Sequence, residues 1–484
     1  MTPDDVDALL NRVPPPSPTP QLRDRVLGEL ARRITLEARR PRRIVWGGVA
    51  LAMAIAGFLS ILWIVLPTGA TPGEGRGQGD GDPAFARKVW EFPFSHAGIS
   101  RLTLLDRLYV EGSDGTLAAL ERSSGQAAWI FRSDGGAPLD VPPVIVPELL
   151  TEIDALQLEL RALSTQLDEK LKTTGPGNET QALQKRRNWV RERLRVCQQQ
   201  DNVYLVSRQV LYCLDRPNGA LKWTQRLSFA PSGPPAAIRG YLFMPDAAGA
   251  RVHALDVEKK GADVLSYQNP VAAAGTSVLG GPVYLDPSLF FVSPDASLHC
   301  FRVSDGALVW NFRAEPGKVG ELIVHKHQRR GPNGALAKAD INLVLFSTGS
   351  TMVAMDADRG VPLWTFDCGA PPSGRPVLFG ENACVVTEKG LLLSLELLPD
   401  QNLKVPAGGL RWKLDGCSQI LMSGRKGLYV VGSKQEILVM KESSGEIRAR
   451  YPYRSLSNFV TNPSDGLLYA VRPGGTIVCF EEAD

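Results

Sequence analysis

The sequence predicts an all-β fold: an eight-bladed β-propeller of four-stranded blades closed by its N- and C-terminal strands, with an inserted α-helical hairpin and an N-terminal transmembrane helix. Three observations predict the propeller. A short unit recurs along the chain, each unit divides into four β-rich runs, and the final unit stops one strand short while a spare strand precedes the first. A small sheet cannot bury its own apolar face, so repeats of this kind must stack on one another.

The first element is a cytosolic tail over residues 1–43, in which Leu22, Val26, Leu30 and Ile34 recur every four residues and form the stripe of a short basic helix. It suits a position against anionic lipid. Residues 44–66 follow with 23 residues free of charge, long enough to cross a hydrocarbon core of about 30 Å, with Trp46 and Trp63 near the two ends. Arg39, Arg40, Arg42 and Arg43 crowd the leading flank, so the positive-inside rule leaves the N-terminus in the cytosol and the propeller outside it. Residues 67–86 are Gly-rich and polar, the composition of a flexible tether.

The propeller occupies residues 87–484. Its unit reads LAALERSSGQAAW to Trp129, LYCLDRPNGALKW to Trp223, LHCFRVSDGALVW to Trp310 and MVAMDADRGVPLW to Trp364. Weaker copies begin at His253, end at Trp412, or begin at Leu438, and a half-copy, IVCFEEAD, closes the chain. From Trp223 the steps to Tyr267, Trp310, Trp364 and Trp412 are 44, 43, 54 and 48 residues, close to the roughly 40–50 of a propeller blade. Gly125, Gly219, Gly306, Gly360 and Gly445 precede the last strand of their units as turn residues. A small residue marks the third strand throughout: Ala119, Cys213, Ala254, Cys300, Ala354, Ser394, Val439 and Cys479. The orphan segment around Trp90 supplies the strand the last unit lacks, and pairing the two ends removes exposed sheet edges.

One insertion interrupts the pattern over residues 147–200. Leu149, Ile153, Leu156, Leu160, Leu163, Leu167 and Leu171 form a coiled-coil-like seam, GPGN at 175–178 breaks it, and a second helical run carries Leu183, Val190, Leu194 and Cys197. Acidic residues dominate the first arm and basic ones the second, so antiparallel pairing brings opposite charges together in a hairpin of roughly 35 Å. Such an arm presents surface that the ring does not need. Leu156, Leu160, Leu163, Arg187 and Arg191 are its candidate docking residues.

In these copies the chain resembles the PQQ-binding-like repeat family, whose blades carry an Ala-x-Asp-x-x-Thr-Gly-x-x-x-Trp signature; the resemblance covers roughly residues 87–484 apart from the insertion. It implies either a quinoprotein dehydrogenase or a non-enzymatic scaffold of the kind found in the bacterial outer-membrane β-barrel assembly machine. The fold is common to both.

The residues favour the scaffold. The dehydrogenases commonly show adjacent cysteines beside the quinone, whereas the seven here stand apart at 197, 213, 300, 368, 384, 417 and 479. Cys213, Cys300 and Cys479 occupy the small core position, and a disulfide among Cys368, Cys384 and Cys417 stays open. There is no zinc CxxC pair, HExxH, GxSxG elbow or phosphate loop. His325 and His327 alternate as they would on one face of a strand, yet HKHQRRGPNG reads more readily as a basic surface loop. With 54 basic and 51 acidic residues, nothing suggests a nucleic-acid groove. The expectation is therefore no catalytic residue, cofactor, metal or small-molecule substrate, and a protein partner at the cell envelope. The propeller would be periplasmic, on a single-pass protein of the bacterial inner membrane, with a dehydrogenase or a sensor signalling through the cytosolic helix as the alternatives.

Overall fold

The computed structural model describes residues 86–482 apart from 95–97, 174, 249–250, 269–278, 294, 316–318, 328–340, 380, 399–405, 454–455 and 463–464. The expected cytosolic tail and the 44–66 span lie outside the described residues. Among the described residues no helix is long and apolar enough to cross a membrane.

Eight sheets of four antiparallel strands follow one another as the repeats require. Blade 1 is built from Ile99–Leu104, Leu108–Gly112, Thr116–Leu120 and Ala127–Arg132. The second and third strands of each blade are almost wholly buried and the fourth is largely exposed, so the apolar runs lie between blades and the alternating runs face outward. Blade 8 takes Ser457–Val460, Leu467–Arg472 and Thr476–Glu482 from the C-terminus and Ala86–Pro93 from the start of the fold. Trp90 pairs with Cys479 and Ala86 with Glu482, so Ala86 belongs to the closing strand; residues 67–85 of the expected tether lie outside the described residues.

A repeated contact joins the blades. The fourth-strand Trp of one blade lies on the Gly of the next blade's final turn and donates its indole N–H to a carbonyl of that turn. Trp90 bonds Arg122 O at 2.8 Å, Trp129 bonds Arg216 O at 2.8 Å, Trp310 bonds Ala357 O at 3.1 Å, Trp364 bonds Leu397 O at 2.9 Å and Trp412 bonds Glu442 O at 2.7 Å. Glycine is required twice over. Gly360 has φ +68°, and a Cβ there would lie 2.5 Å from the Trp310 ring. Gly125, Gly219 and Gly445 meet Trp90, Trp129 and Trp412 in the same way, and Gly408, which the repeat pattern did not single out, meets Trp364.

Two seams solve the problem differently. In blade 3 the residue opposite Ala254 is Leu265, not Tyr267 as the spacing implied, and Leu265 fills the space above Gly306. Tyr267, two residues on and so on the same face, donates its hydroxyl to Val303 O at 2.9 Å. Packing and hydrogen bonding, united in one Trp at five of the other seams, are here divided between two residues. Blade 7 carries Ala449 at the Trp position. Blade 8 has no turn between its third and fourth strands, because these come from opposite ends of the fold, so a Trp would find no carbonyl. The Glu482 carboxylate serves this seam instead, accepting from Tyr429 Oη and from the backbone N–H groups of Arg425 at 2.8 Å and Lys426 at 2.9 Å.

Gly360→Ala should destabilise the protein by about 2 kcal/mol or more, since it imposes both a left-handed backbone and an overpacked contact. Gly98→Ala, where a Cβ has no neighbour within 4 Å, serves as the control in urea unfolding of the full chain. Equal midpoints for the two variants would remove the steric reading of the seam.

Candidate docking surface

The insertion forms two helices, α1 over Pro147–Thr173 and α2 over Asn178–Gln199. Pro147 opens α1, where its missing N–H costs nothing. Gly175, at φ +73°, begins the turn, and the Gly177 N–H donates to Thr180 Oγ1 at 2.7 Å at the start of α2. With 27 residues α1 is about 40 Å long, slightly more than the sequence implied.

Apolar residues hold the hairpin to the blades. Leu149, Ile153, Leu156, Val190, Leu194 and Cys197 join one buried cluster with Tyr204 of blade 2 and Leu242 and Leu255 of blade 3. Charges register the helices as expected. Arg193 bonds Glu152 at 2.7 Å, Arg186 bonds Glu159 at 2.7 Å, and Lys170 bonds Glu179 at 2.5 Å near the tip. Glu152 also accepts from Arg239 of blade 3. Burial would raise the Glu152 carboxyl, yet the hydrogen bonds and charges of Arg193 and Arg239 outweigh it and hold the group below the ordinary range. The root of the hairpin is thereby fixed by apolar and ionic contacts together.

Beyond Leu156 the hairpin is different. Leu158 is 70% exposed and Leu171, expected in the seam, is 43% exposed, so the buried row ends at Leu167. A shallow groove of about 480 Å³ lies between the helices near the tip, with Leu163 and Leu183 at its base and Glu169, Lys170 and Arg186 around it. Of the docking residues named from sequence, Leu156 and Leu163 are buried inside the hairpin and Leu160 is half-buried, so they hold the arm together before they can meet a partner. Arg187 is half-buried and Arg191 is exposed. Neither has a carboxylate partner among the described residues, and the same holds for Lys185. Leu158 was missed because it lies off the heptad row, which finds the face turned inward and is silent about the face turned out.

The cysteines, His253 and His299 are built into the packing of the blades. All seven cysteines are buried free thiols, which answers the open disulfide question for Cys368, Cys384 and Cys417. Burial pushes Cys213, Cys368 and Cys384 up to about 12 and Cys300 and Cys417 up to about 11, far from a reactive thiolate. His299 is buried with Nε2 2.7 Å from Ser293 Oγ, and burial lowers it to about 4 against the pull of Asp295. His253 lies flat on Phe229 with Nδ1 2.6 Å from Asp263. His325 and His327 belong to the first strand of blade 5, Ile323–His327, a correction to the surface loop expected there. No group of three or more His, Cys, Asp or Glu side chains suited to a metal ion occurs among the described residues. The separated, buried thiols do not fit the quinone site described for the dehydrogenases.

A profile of the family described as outer membrane protein assembly factor BamB matches residues 82–267 and 294–449. The chain belongs to this family. Among solved structures it is similar to BamB from Moraxella catarrhalis, at 14% identity with a TM-score of 0.51, over 82% of this chain and 98% of that one. A computationally designed protein, Ika8, matches at 10% identity with a TM-score of 0.48, over 80% and 96% of the two chains. The comparison with curated proteins finds no match. At 14% identity the likeness to the Moraxella protein establishes the fold alone.

One buried acid is only loosely paired. Glu111, 1% exposed, has an unpartnered Oε1 and its nearest cation, Arg101 Nη1, at 3.6 Å. Burial pushes its carboxyl up to about 7 despite Arg101. A raised carboxyl favours the folded state fully only below its ordinary 4.5, and that contribution is lost as pH rises toward 7. Glu111→Gln should therefore stabilise the protein at pH 8, by up to about 3 kcal/mol, and leave it nearly unchanged at pH 4. Urea midpoints at the two pH values test this, and an equal effect at both would refute the assignment.

Proposed function

We propose that this protein is a non-catalytic scaffold or assembly factor of the bacterial cell envelope, held in the inner membrane by residues 44–66 with residues 1–43 in the cytosol. In this reading the propeller stands in the periplasm and the distal half of the hairpin is its docking arm for a protein partner. The observation that carries the reading is the hairpin's division: its root is packed into blades 2 and 3, while the part beyond Leu156 and Val190 carries Leu158 and Lys185 toward solvent. A rigid arm loses little conformational entropy when it binds, which favours association. Family membership supports the assembly role, and the uncharged 44–66 run with its arginine flank supports the anchor.

Two measurements on the full chain test this. In proximity labelling, replacing residues 157–189 by a short loop while keeping the root should remove a specific set of envelope neighbours; an unchanged set counts against the arm. Because the native thiols of the propeller are buried, an introduced cysteine can report topology. In spheroplasts Gln78→Cys should react with a membrane-impermeant maleimide and Ser17→Cys should not, and the reverse pattern would overturn the orientation.

A further inference from the structure

One seam of the ring is left open. In four of the five turns that receive a Trp, the Gly N–H bonds the carbonyl four residues earlier, as Gly219 does to Asp215 and Gly360 to Asp356, and the carbonyl of the next residue accepts the indole N–H; in the fifth, Gly408 bonds Glu396 O twelve residues back and Leu397 O accepts. The blade 3 turn is one residue longer. Gly261 bonds Asp256, five residues back, and Lys260, at φ +56°, donates its N–H to Val257 O at 3.2 Å. Val257 O is the carbonyl that Trp223 would otherwise use.

Trp223 is accordingly displaced. A Cβ on Gly261 would meet its ring edge at 3.3 Å, against 2.4–2.7 Å from the ring faces of Trp90, Trp129, Trp310, Trp364 and Trp412 at the matching glycines. Its indole N–H has no hydrogen-bond partner among the described residues. Beside it is a slot of about 170 Å³ between the hairpin root and blade 3, lined by Val146, Leu149, Trp223, Arg239, Val257 and Glu258 among others. The cations there are engaged, Arg239 by Glu152 and Lys222 by Asp215, so the slot holds no free charge for an anion.

We infer that this slot is a peptide-binding site, in which the Trp223 indole N–H donates to a backbone carbonyl of an extended segment of the partner protein. The adjoining apolar side chain of that segment rests on Val146, Leu149 and Val257. The chain contains its own precedent, since five other signature tryptophans donate to a backbone carbonyl. The volume falls below the roughly 300 Å³ at which small-molecule and cofactor sites begin, so one or two residues of a peptide fit and a nucleotide or quinone does not. The inference rests on the protein-docking reading and names a site for it separate from the hairpin tip.

The test places a photoreactive residue in the full chain, in its native cells, either at Glu258 on the slot or at Lys185 on the outer face of α2. Adducts with a partner protein are expected at both positions. Trp223→Phe keeps a ring and removes the N–H; it should lower the Glu258 adduct about fivefold, the effect of one lost hydrogen bond, and leave the Lys185 adduct unchanged. Val257→Phe, which fills the slot, should do the same should Trp223→Phe fail to fold. A Glu258 adduct indifferent to these changes, or absent while the Lys185 adduct persists, overturns the slot and leaves the docking arm standing. Absence of both adducts overturns the two readings together.

Discussion

The fit of an indole onto a glycine of the neighbouring blade is the constraint on which this molecule depends. Each blade is a small twisted sheet with two apolar faces, and nothing within one blade dictates the angle at which the next should sit. The Trp and Gly pair supplies that information, because the ring face needs a position without a Cβ and the indole N–H needs a carbonyl within reach. Such a contact penalises misplacement on two counts, clash and a buried unpaired donor, so it specifies orientation more sharply than apolar burial could.

The departures follow from the same requirement. Leu265 with Tyr267 shows that packing and hydrogen bonding can be divided between residues two apart on a strand. Ala449 shows that the indole disappears where the receiving turn is missing, and Glu482 then binds donors that would otherwise be unpaired. At Trp223 the indole is present but its acceptor is turned inward, and there the hairpin root takes over the seam with Leu149, Ile153 and Leu194 in the shared core. The insertion is therefore both an appendage and a part of the ring wall.

Much of this was legible from residue order. The strand periodicity, the recurring small residue and the spare strand at Trp90 led to eight blades and to their closure, and the opposite charges on the two arms led to their antiparallel pairing, which the structure realises as Glu152 with Arg193 and Glu159 with Arg186. These features are written in spacing and charge, which do not depend on distant atoms. The repeat Gly residues were read as turn formers, and so they are, but their positive φ is only half of their role.

Residue order thus established the number of blades, the place of the hairpin and the chain ends that meet. Tertiary structure alone decided what each side chain is for. Gly360 had to be seen beneath Trp310, Leu156 inside the hairpin and not on its surface, and Trp223 with its acceptor withdrawn by one extra residue in the next turn. The physical reason is that a repeat pattern records what a residue does within its own blade, whereas packing density, an unpaired donor and a free surface arise only between blades, from residues that are remote in sequence.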